Sequence, residues 1–218
     1  MERESRRILV EGARVFGIDL DEKGIEVFEL YLRELFKWNQ KMNLTAIRTE
    51  KGIVLKHFLD SLSVNPYLSG ACALLDIGSG AGFPGIPIKI VNPGLEVTLI
   101  DSVQKKVAFQ RHIIRTLHLT GIEAIHGRVQ DPEVTQSLKE RFDVVISRAF
   151  SDLSTLLMLS QPLLKKGGKV LAMKGKREGG EDPCSSVGEW APFRLQKAIP
   201  FILPFSSFER TIFLLEKE

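Results

Sequence analysis

Apolar residues recur at helical spacing through the first third of the chain. The pattern begins at residues 5–16, is clearest at residues 25–38 and returns at residues 54–62. Apolar residues three and four positions apart lie on one side of an α-helix. The sequence therefore predicts three helices and a helical N-terminal region over residues 1–66.

The pattern changes near residue 71, where short apolar runs begin to alternate with amphipathic segments. Strands are predicted at residues 73–77, 97–100, 122–125, 142–146, 169–173, 193–199 and 208–215, and helices at residues 84–91, 104–117, 132–139 and 153–164. Regular alternation of strands and helices is typical of a parallel sheet covered by helices. We therefore expect an α/β domain over residues 67–218, with a Gly- and Ser-rich loop from Gly175 to Gly188.

Composition and cysteine spacing bear on the cellular compartment and on the kinds of site the chain can form. The 218 residues are 44% hydrophobic and 26% charged, which is ordinary for a globular protein. No apolar stretch approaches the roughly 20 residues that cross a bilayer, and the charged N-terminus lacks the features of a secretory signal. The two cysteines, Cys72 and Cys184, lie far apart without the spacing of metal ligands. A cytoplasmic protein without a disulfide framework or a zinc site is expected.

Charge distribution points to a polyanionic partner. The formal net charge is only +3. Residues 102–122 nevertheless hold four cations and no acid, and residues 165–177 hold six cations and no acid. One such run is usually a solvated surface. Two runs in one chain with a ligand-binding loop favour an anionic partner such as a nucleic acid.

The most informative stretch is the glycine-rich loop that follows the first predicted strand and precedes a predicted helix. Alternating glycines let the backbone approach a ligand, and a helix N-terminus offers free N–H groups. Gly80, Gly82 and Gly85 also match GxGxxG, and Asp101 follows 21 residues after Gly80, as in dinucleotide sites. An NAD-dependent oxidoreductase is therefore one interpretation. Asp76, two residues before the first glycine, favours S-adenosylmethionine, because a carboxylate there can bind the amino-acid end of that cofactor.

Several further motifs carry a resemblance to a known family. They are Trp38-Asn39 with Asn43-Leu44-Thr45, His57 to Leu62, Asp76 to Pro87, Asp101-Ser102 with Lys105-Lys106, Phe142-Asp143 with Ser147-Arg148-Ala149, and Lys174-Gly175. Over nearly its whole length the chain resembles the bacterial 16S ribosomal RNA guanine-N7 methyltransferases, also called glucose-inhibited division protein B. The resemblance implies a class I S-adenosylmethionine-dependent methyltransferase fold. This is a Rossmann-like, doubly wound, mostly parallel sheet with a reversed last strand, here with a helical N-terminal extension.

The resemblance also implies an activity and its residues. The reaction is methyl transfer to N7 of guanosine 527 in the 530 loop of 16S rRNA, within the 30S subunit or an assembly intermediate. The implied cofactor-binding residues are Asp76, Gly78, Ser79, Gly80, Gly82, Phe83, Asp101, Ser102, Arg128, Val129, Gln130 and Arg148. The implied RNA-binding residues are His57, Lys105, Lys106, Arg148, Lys174 and Arg210. Arg148 and Lys174 are expected to position the substrate without a general base, since guanine N7 carries a free lone pair at neutral pH.

Two alternatives remain open at this point. His57, Asp60 and Ser61 share one helical face, but a hydrolytic triad is not expected because one helical turn rarely aims all three groups at a substrate and GxSxG is absent. They either dock the helical region against the cofactor domain or line the RNA side. A non-catalytic RNA-binding module is the second functional class. Cys184 is expected to be incidental.

Overall fold

The computed structural model describes residues 1–148, 152–175 and 191–218. Two long helices open the chain, α1 (Arg3–Val15) and α2 (Glu22–Met42). Asp21 caps α2 by accepting a hydrogen bond from the Gly24 amide, and Asn43 ends it in the left-handed region with φ of 48°. Both residues suit these positions, since a short side-chain carboxylate satisfies a free amide and asparagine tolerates positive φ. Within the described ranges, no helix is long and apolar enough to cross a membrane.

The third predicted helix is irregular. It consists of α3 (Glu50–Ile53), a π-helical segment (Val54–Leu59) and α4 (Asp60–Leu62), followed by a 3₁₀ turn (Asn65–Tyr67). A π-helical turn changes which side chains share a face, and such turns occur often at functional sites.

The rest of the described chain alternates strands and helices as predicted. The strands are β1 (Ala73–Ile77), β2 (Glu96–Asp101), β3 (Ile122–His126), β4 (Phe142–Ser147), β5 (Leu164–Gly175), β6 (Phe193–Ile202) and β7 (Glu209–Lys217). The helices are α5 (Gly85–Val91), α6 (Gln104–Thr116), α7 (Pro132–Ser137) and α8 (Leu153–Ser160). The prediction of one helix over residues 153–164 is wrong at its end, because Pro162 cannot continue a helix and Leu164 already begins β5.

One sheet contains all seven of these strands in the order β3-β2-β1-β4-β5-β7-β6. Strands β1 to β5 are parallel, while β7 runs antiparallel to both β5 and β6. The reversed strand that the resemblance implied is therefore confirmed. Because β7 is reversed, its first residues lie beside the last residues of β5, and Arg210 pairs with Gly175.

The N-terminal helices share a core with one face of the sheet. Phe28 and Phe58 belong to the same buried cluster as Leu74 and Leu99, whereas Leu75 faces the opposite cluster together with α8. Alternate residues of a strand point to opposite faces, which explains this division. The helical region thereby reaches the carboxyl edge of the sheet, where β1, β2 and β4 end.

Candidate active site

The glycine loop between β1 and α5 leaves open space above its backbone. Gly78, Gly80 and Gly82 have φ values of 72°, 60° and 93°, which side chains with a Cβ rarely adopt. A Cβ built at Gly78 meets no atom within 4 Å, and one at Gly80 meets only the Gly78 carbonyl oxygen at 4.0 Å. A ligand can therefore lie directly against this stretch of backbone.

Two glycines of the same motif serve packing instead. A Cβ at Gly82 would press on Ile86 and lie 2.9 Å from the Tyr31 hydroxyl. A Cβ at Gly85 would press on Leu99 and lie 2.9 Å from Asp76 Oδ2. Gly85 thus permits α5 to approach the sheet closely, and Gly82 lets the loop pass close to α2, so two of the three glycines in the GxGxxG match also serve packing.

The expectation of free N–H groups at the start of α5 is wrong for Gly85 and Ile86, since both amides are bonded, that of Ile86 to the Gly82 carbonyl. Amides of the preceding glycine loop are bonded as well. The Gly78 and Ser79 amides donate to the Ile100 carbonyl, and the Phe83 amide donates to the Ser79 carbonyl. The Gly85 amide donates to Asp76 Oδ2 at 2.8 Å. These bonds hold the tight turn, so the donors that sequence reasoning assigned to a ligand stabilise the loop itself.

Asp76 carries the clearest sign of a missing partner. The residue is fully buried, and its Oδ1 atom has no hydrogen-bond partner, although Oδ2 accepts from the Gly85 amide. Burial raises the pKa of Asp76 to about 7, against the lowering effects of the Gly85 amide and the nearby Arg148 charge. An uncompensated buried carboxylate is costly, and a cationic group placed at Oδ1 would remove that cost.

Asp101 ends β2 beside the same loop. Its Oδ2 accepts from the Gly80 amide and its Oδ1 from the Val103 amide, each at 2.8 Å, and Lys106 Nζ lies 3.8 Å from Oδ2. Each carboxylate oxygen can accept a second hydrogen bond. These contacts fix the carboxylate at the carboxyl edge while leaving it acceptor capacity.

The other residues expected to bind a cofactor lie at the same edge. The Gly127 amide donates to the Asp101 carbonyl at 3.2 Å, so the segment after β3 begins beside the end of β2. Arg128 and Gln130 are exposed there, whereas Val129 is buried. Ser102 is exposed just beyond Asp101, close to Lys105, which is expected to bind RNA and is exposed too. The predicted cofactor residues are therefore neighbours along this edge.

Two buried residues that the sequence analysis did not identify form hydrogen bonds to the glycine loop. Tyr31 on α2 donates from its hydroxyl to the Ala81 carbonyl at 2.6 Å, and Gln110 on α6 donates to Ser79 Oγ at 2.8 Å and to the Gly80 carbonyl at 2.7 Å. Both side chains are fully buried. Their contacts set the loop's position relative to the helical region and to α6.

Arg148 follows β4 and lies over an aromatic stack. Its guanidinium carbon is 5.4 Å from the centre of the Phe83 ring, and Nη1 donates to the Lys56 carbonyl at 3.0 Å. The Phe83 ring packs on the His57 imidazole, with centroids 4.5 Å apart and planes within 9°. Burial and the Arg148 charge lower the pKa of His57 to about 3, so this histidine is neutral at neutral pH.

His57 is therefore a supporting group within the site. Its Nε2 lies 2.8 Å from Thr45 Oγ1, and 8% of the residue is exposed. Ser61 Oγ donates to the His57 carbonyl, while Asp60 points to two arginines. The hydrolytic triad is not assembled, as expected, because each of the three side chains has a different partner.

Further cations lie where β5 ends and β7 begins. Arg210, at the start of β7, donates from Nε to Asp60 Oδ1 at 2.7 Å. Lys56 Nζ lies 4.2 Å from the centre of the Phe208 ring. Lys174 lies in β5, paired in register with Thr211, one position before the Gly175–Arg210 pair. Cys184 and most of the 175–188 loop fall outside the described residues.

Comparison with known proteins identifies the family. Residues 24–185 match the family model GidB, described as rRNA small subunit methyltransferase G. This chain belongs to the GidB family. The ribosomal RNA small subunit methyltransferase G of Geotalea uraniireducens is 42% identical over 220 residues, covering all of this chain and 99% of that protein. The protein of that name from Acetivibrio thermocellus is 40% identical over 217 residues, covering 99% and 90%.

Solved structures confirm the fold of this GidB member. The chain is similar to M. jannaschii TYW2 in complex with AdoMet, with a TM-score of 0.53, 17% identity and coverage of 67% and 69%. It is also similar to a predicted O-methyltransferase, Atu636 from Agrobacterium tumefaciens, with a TM-score of 0.55, 18% identity and coverage of 67% and 74%. The fold is that of the class I methyltransferases. Family membership decides against the oxidoreductase interpretation of the glycine motif.

Proposed function

We propose that this GidB protein transfers a methyl group from S-adenosylmethionine to N7 of guanosine 527 in the 530 loop of 16S rRNA. The observation that carries this proposal is the family match along nearly the whole chain, combined with an open glycine cradle beside Asp76. We further propose that the substrate is met in the 30S subunit or an assembly intermediate, and therefore in the cytoplasm.

The residues present fit the cofactor. The unpartnered Asp76 Oδ1 matches the ammonium group of the methionine end, and the space above Gly78 and Gly80 can take the chain of that end. Asp101 keeps acceptor capacity for ribose hydroxyls, and the segment from Arg128 to Gln130 at the same edge is proposed to hold the adenine. The residues proposed to hold the cofactor are Asp76, Gly78, Ser79, Gly80, Gly82, Phe83, Asp101, Ser102, Arg128, Val129, Gln130 and Arg148.

The proposed reaction does not need a general acid or a general base. When bound, S-adenosylmethionine supplies an electrophilic methyl group. Guanine N7 is already a nucleophile at neutral pH, so the protein need not remove a proton. Its task is to hold N7 in line with the methyl carbon, and correct orientation alone contributes up to roughly 7 to 11 kcal/mol in favourable cases. The fixed side chains around Arg148 suit that task.

Arg148 and Lys174 are proposed to position the nucleotide. Arg148 is held over Phe83 and bonded to the Lys56 carbonyl, so its guanidinium has a defined direction. An unstacked nucleotide is needed for access to a base inside folded RNA. Lys105, Lys106, Lys174 and Arg210 are proposed to attract RNA phosphates, and His57 contributes by supporting Phe83.

The division of the chain into residues 1–66 and 67–218 is also a proposal. The N-terminal region supplies Tyr31 to the glycine loop and His57 to the Phe83 stack. These contacts support a helical region that completes the site formed by the methyltransferase domain.

Methyl transfer to unmodified substrate tests the proposed function. Purified protein with radiolabelled S-adenosylmethionine should label 30S subunits from cells that lack the modification, and should not label fully modified subunits. Calorimetric titration separates the alternatives: an RNA-binding module would bind RNA without S-adenosylmethionine, and an oxidoreductase would bind NAD. RNA binding without cofactor binding or methyl transfer would contradict the proposal.

A further inference from the structure

One carboxylate lies between two arginines at the carboxyl edge of the sheet, Arg148 after β4 and Arg210 at the start of β7. Asp60, the first residue of α4, is 4% exposed. Its Oδ1 accepts from Arg210 Nε at 2.7 Å, and its Oδ2 lies 3.7 Å from Arg148 Nη1. A residue of the helical region therefore links the end of β4 with the start of β7.

The exposed side of this arrangement holds more positive than negative charge, since the other acid near Arg148, Asp76, is fully buried. Two guanidinium groups face a single carboxylate, and each arginine side chain remains about one fifth exposed, 23% for Arg148 and 19% for Arg210. Without the carboxylate the two cations would repel each other. A phosphodiester carries one negative charge, so the cluster matches one phosphate of an RNA chain.

The other contacts of Arg210 leave its position beside Arg148 dependent on Asp60. Within the described residues, the Arg210 guanidinium also donates from Nη1 to the carbonyl of its neighbour Glu209, and its central carbon lies 5.8 Å from the Phe208 ring centre. Neither contact reaches Arg148. Because Arg148 is already held by the Lys56 carbonyl and Phe83, the Asp60 carboxylate is the described group that keeps Arg210 next to it.

We propose that Asp60 is a positioning residue that fixes Arg148 and Arg210 side by side as a preformed site for one RNA phosphodiester next to the target nucleotide. This inference rests on the proposed function. Asp60 does not touch the RNA. It acts through the two arginines, and loss of its charge should misplace the nucleotide while leaving the attraction for RNA intact.

The test compares Asp60→Asn with Asp143→Asn. Asp143 also forms an ion pair, with Lys165 at 2.7 Å, but it lies near the start of β4 at the opposite edge of the sheet. Each variant removes one carboxylate, so both change the net charge equally. Three quantities are measured: the single-turnover methylation rate on unmodified 30S subunits, the RNA dissociation constant against salt concentration, and the calorimetric dissociation constant of S-adenosylhomocysteine.

In Asp60→Asn the methylation rate should fall by between about 10-fold and 100-fold, the scale of small misplacements. RNA affinity and its salt dependence should be unchanged or slightly increased. S-adenosylhomocysteine affinity should stay within about twofold of wild type, because Asp60 is not among the residues proposed to hold the cofactor and Arg148 keeps its contacts with the Lys56 carbonyl and Phe83. Asp143→Asn should keep the wild-type rate. A purely structural role would lower the rate and weaken the binding of both RNA and S-adenosylhomocysteine, and that result, or a wild-type rate in Asp60→Asn, would overturn the inference.

Arg210→Lys gives an independent arm should Asp60→Asn not fold. Lysine keeps the charge but loses the fixed planar fork of the guanidinium, so the rate should fall while the salt dependence of RNA binding persists. The double variant Asp60→Asn/Arg210→Lys should lose little more than the worse single variant, since coupled residues are not additive. A wild-type rate in Arg210→Lys, or additive losses, would contradict the inference. Absence of methylation by the wild-type protein would instead contradict the proposed function.

Discussion

Replacing Asp76 with asparagine tests how the site binds the charged end of the cofactor. In the free protein the Asp76 carboxyl is fully buried, its Oδ1 has no partner, and burial raises its pKa to about 7. A bound ammonium group would favour the ionised form, so cofactor binding below pH 7 must release a proton. The affinity of the wild type for S-adenosylhomocysteine, which has the same amino-acid end, should therefore increase about tenfold per pH unit up to pH 7 and then level off.

The free protein should show the opposite trend in stability. Because the pKa of Asp76 is higher in the folded than in the unfolded state, the folded state binds the extra proton, and stability falls as pH rises from about 4 to about 7. Asp76→Asn lacks this titration. Its free energy of unfolding relative to wild type should increase by about 1.4 kcal/mol per pH unit between pH 5 and pH 6.5 and be constant above pH 8.

Calorimetry measures the proton release directly. Titrating S-adenosylhomocysteine at pH 6 in two buffers of different ionisation enthalpy should give close to one proton released per site, falling toward zero at pH 8. In Asp76→Asn the release should vanish, and affinity at pH 8 should drop by on the order of 10-fold to 100-fold, as expected for hydrogen bonds to charged groups. Wild-type affinity that is flat between pH 6 and pH 8, with no dependence on the buffer, would refute the reasoning.

Three further variants probe the same edge of the sheet. Tyr31→Phe removes the bond to the Ala81 carbonyl and should weaken S-adenosylhomocysteine binding several-fold, whereas Tyr67→Phe should not; equal dissociation constants for the two would contradict the role of Tyr31. Asp101→Ala should cost about 1.5 to 3 kcal/mol of cofactor binding with RNA affinity unchanged in filter binding, and an unchanged cofactor affinity would remove Asp101 from the site. Arg148→Ala should move the pH at which affinity levels off above 7, since the Arg148 charge lowers the pKa of Asp76; no movement would mean that the two charges are uncoupled.

Much of the fold could be predicted because its signals are local. Buried parallel strands appear in a sequence as short apolar runs, and the loop that begins two residues after Asp76 has glycines where the chain turns at positive φ. The family resemblance added the reversed β7. Predicted strand positions are accordingly confirmed, with shifts at the ends, where β5 begins five residues earlier than its apolar run.

The supporting contacts of the site could not be predicted in the same way. Tyr31 bonds to a residue 50 positions away, and Asp60 to one 150 positions away. The residues next to Tyr31 and Asp60 in the sequence do not indicate which distant residue each side chain contacts. The segment before Asp60 is π-helical and departs from regular helical spacing. Regular spacing places His57 and Asp60 on one helical face, but in the structure the two side chains have different partners.

Mapping the methylated nucleotide tests the central claim most directly. Unmodified 30S subunits are incubated with the protein and S-adenosylmethionine, and the 16S rRNA is then treated with borohydride and aniline, which cleave the chain at N7-methylguanosine. Primer extension should reveal one new stop, at guanosine 527 in the 530 loop, that is absent when the cofactor is omitted. Methyl incorporation without an aniline-sensitive site, or cleavage at a different guanosine, would contradict the account.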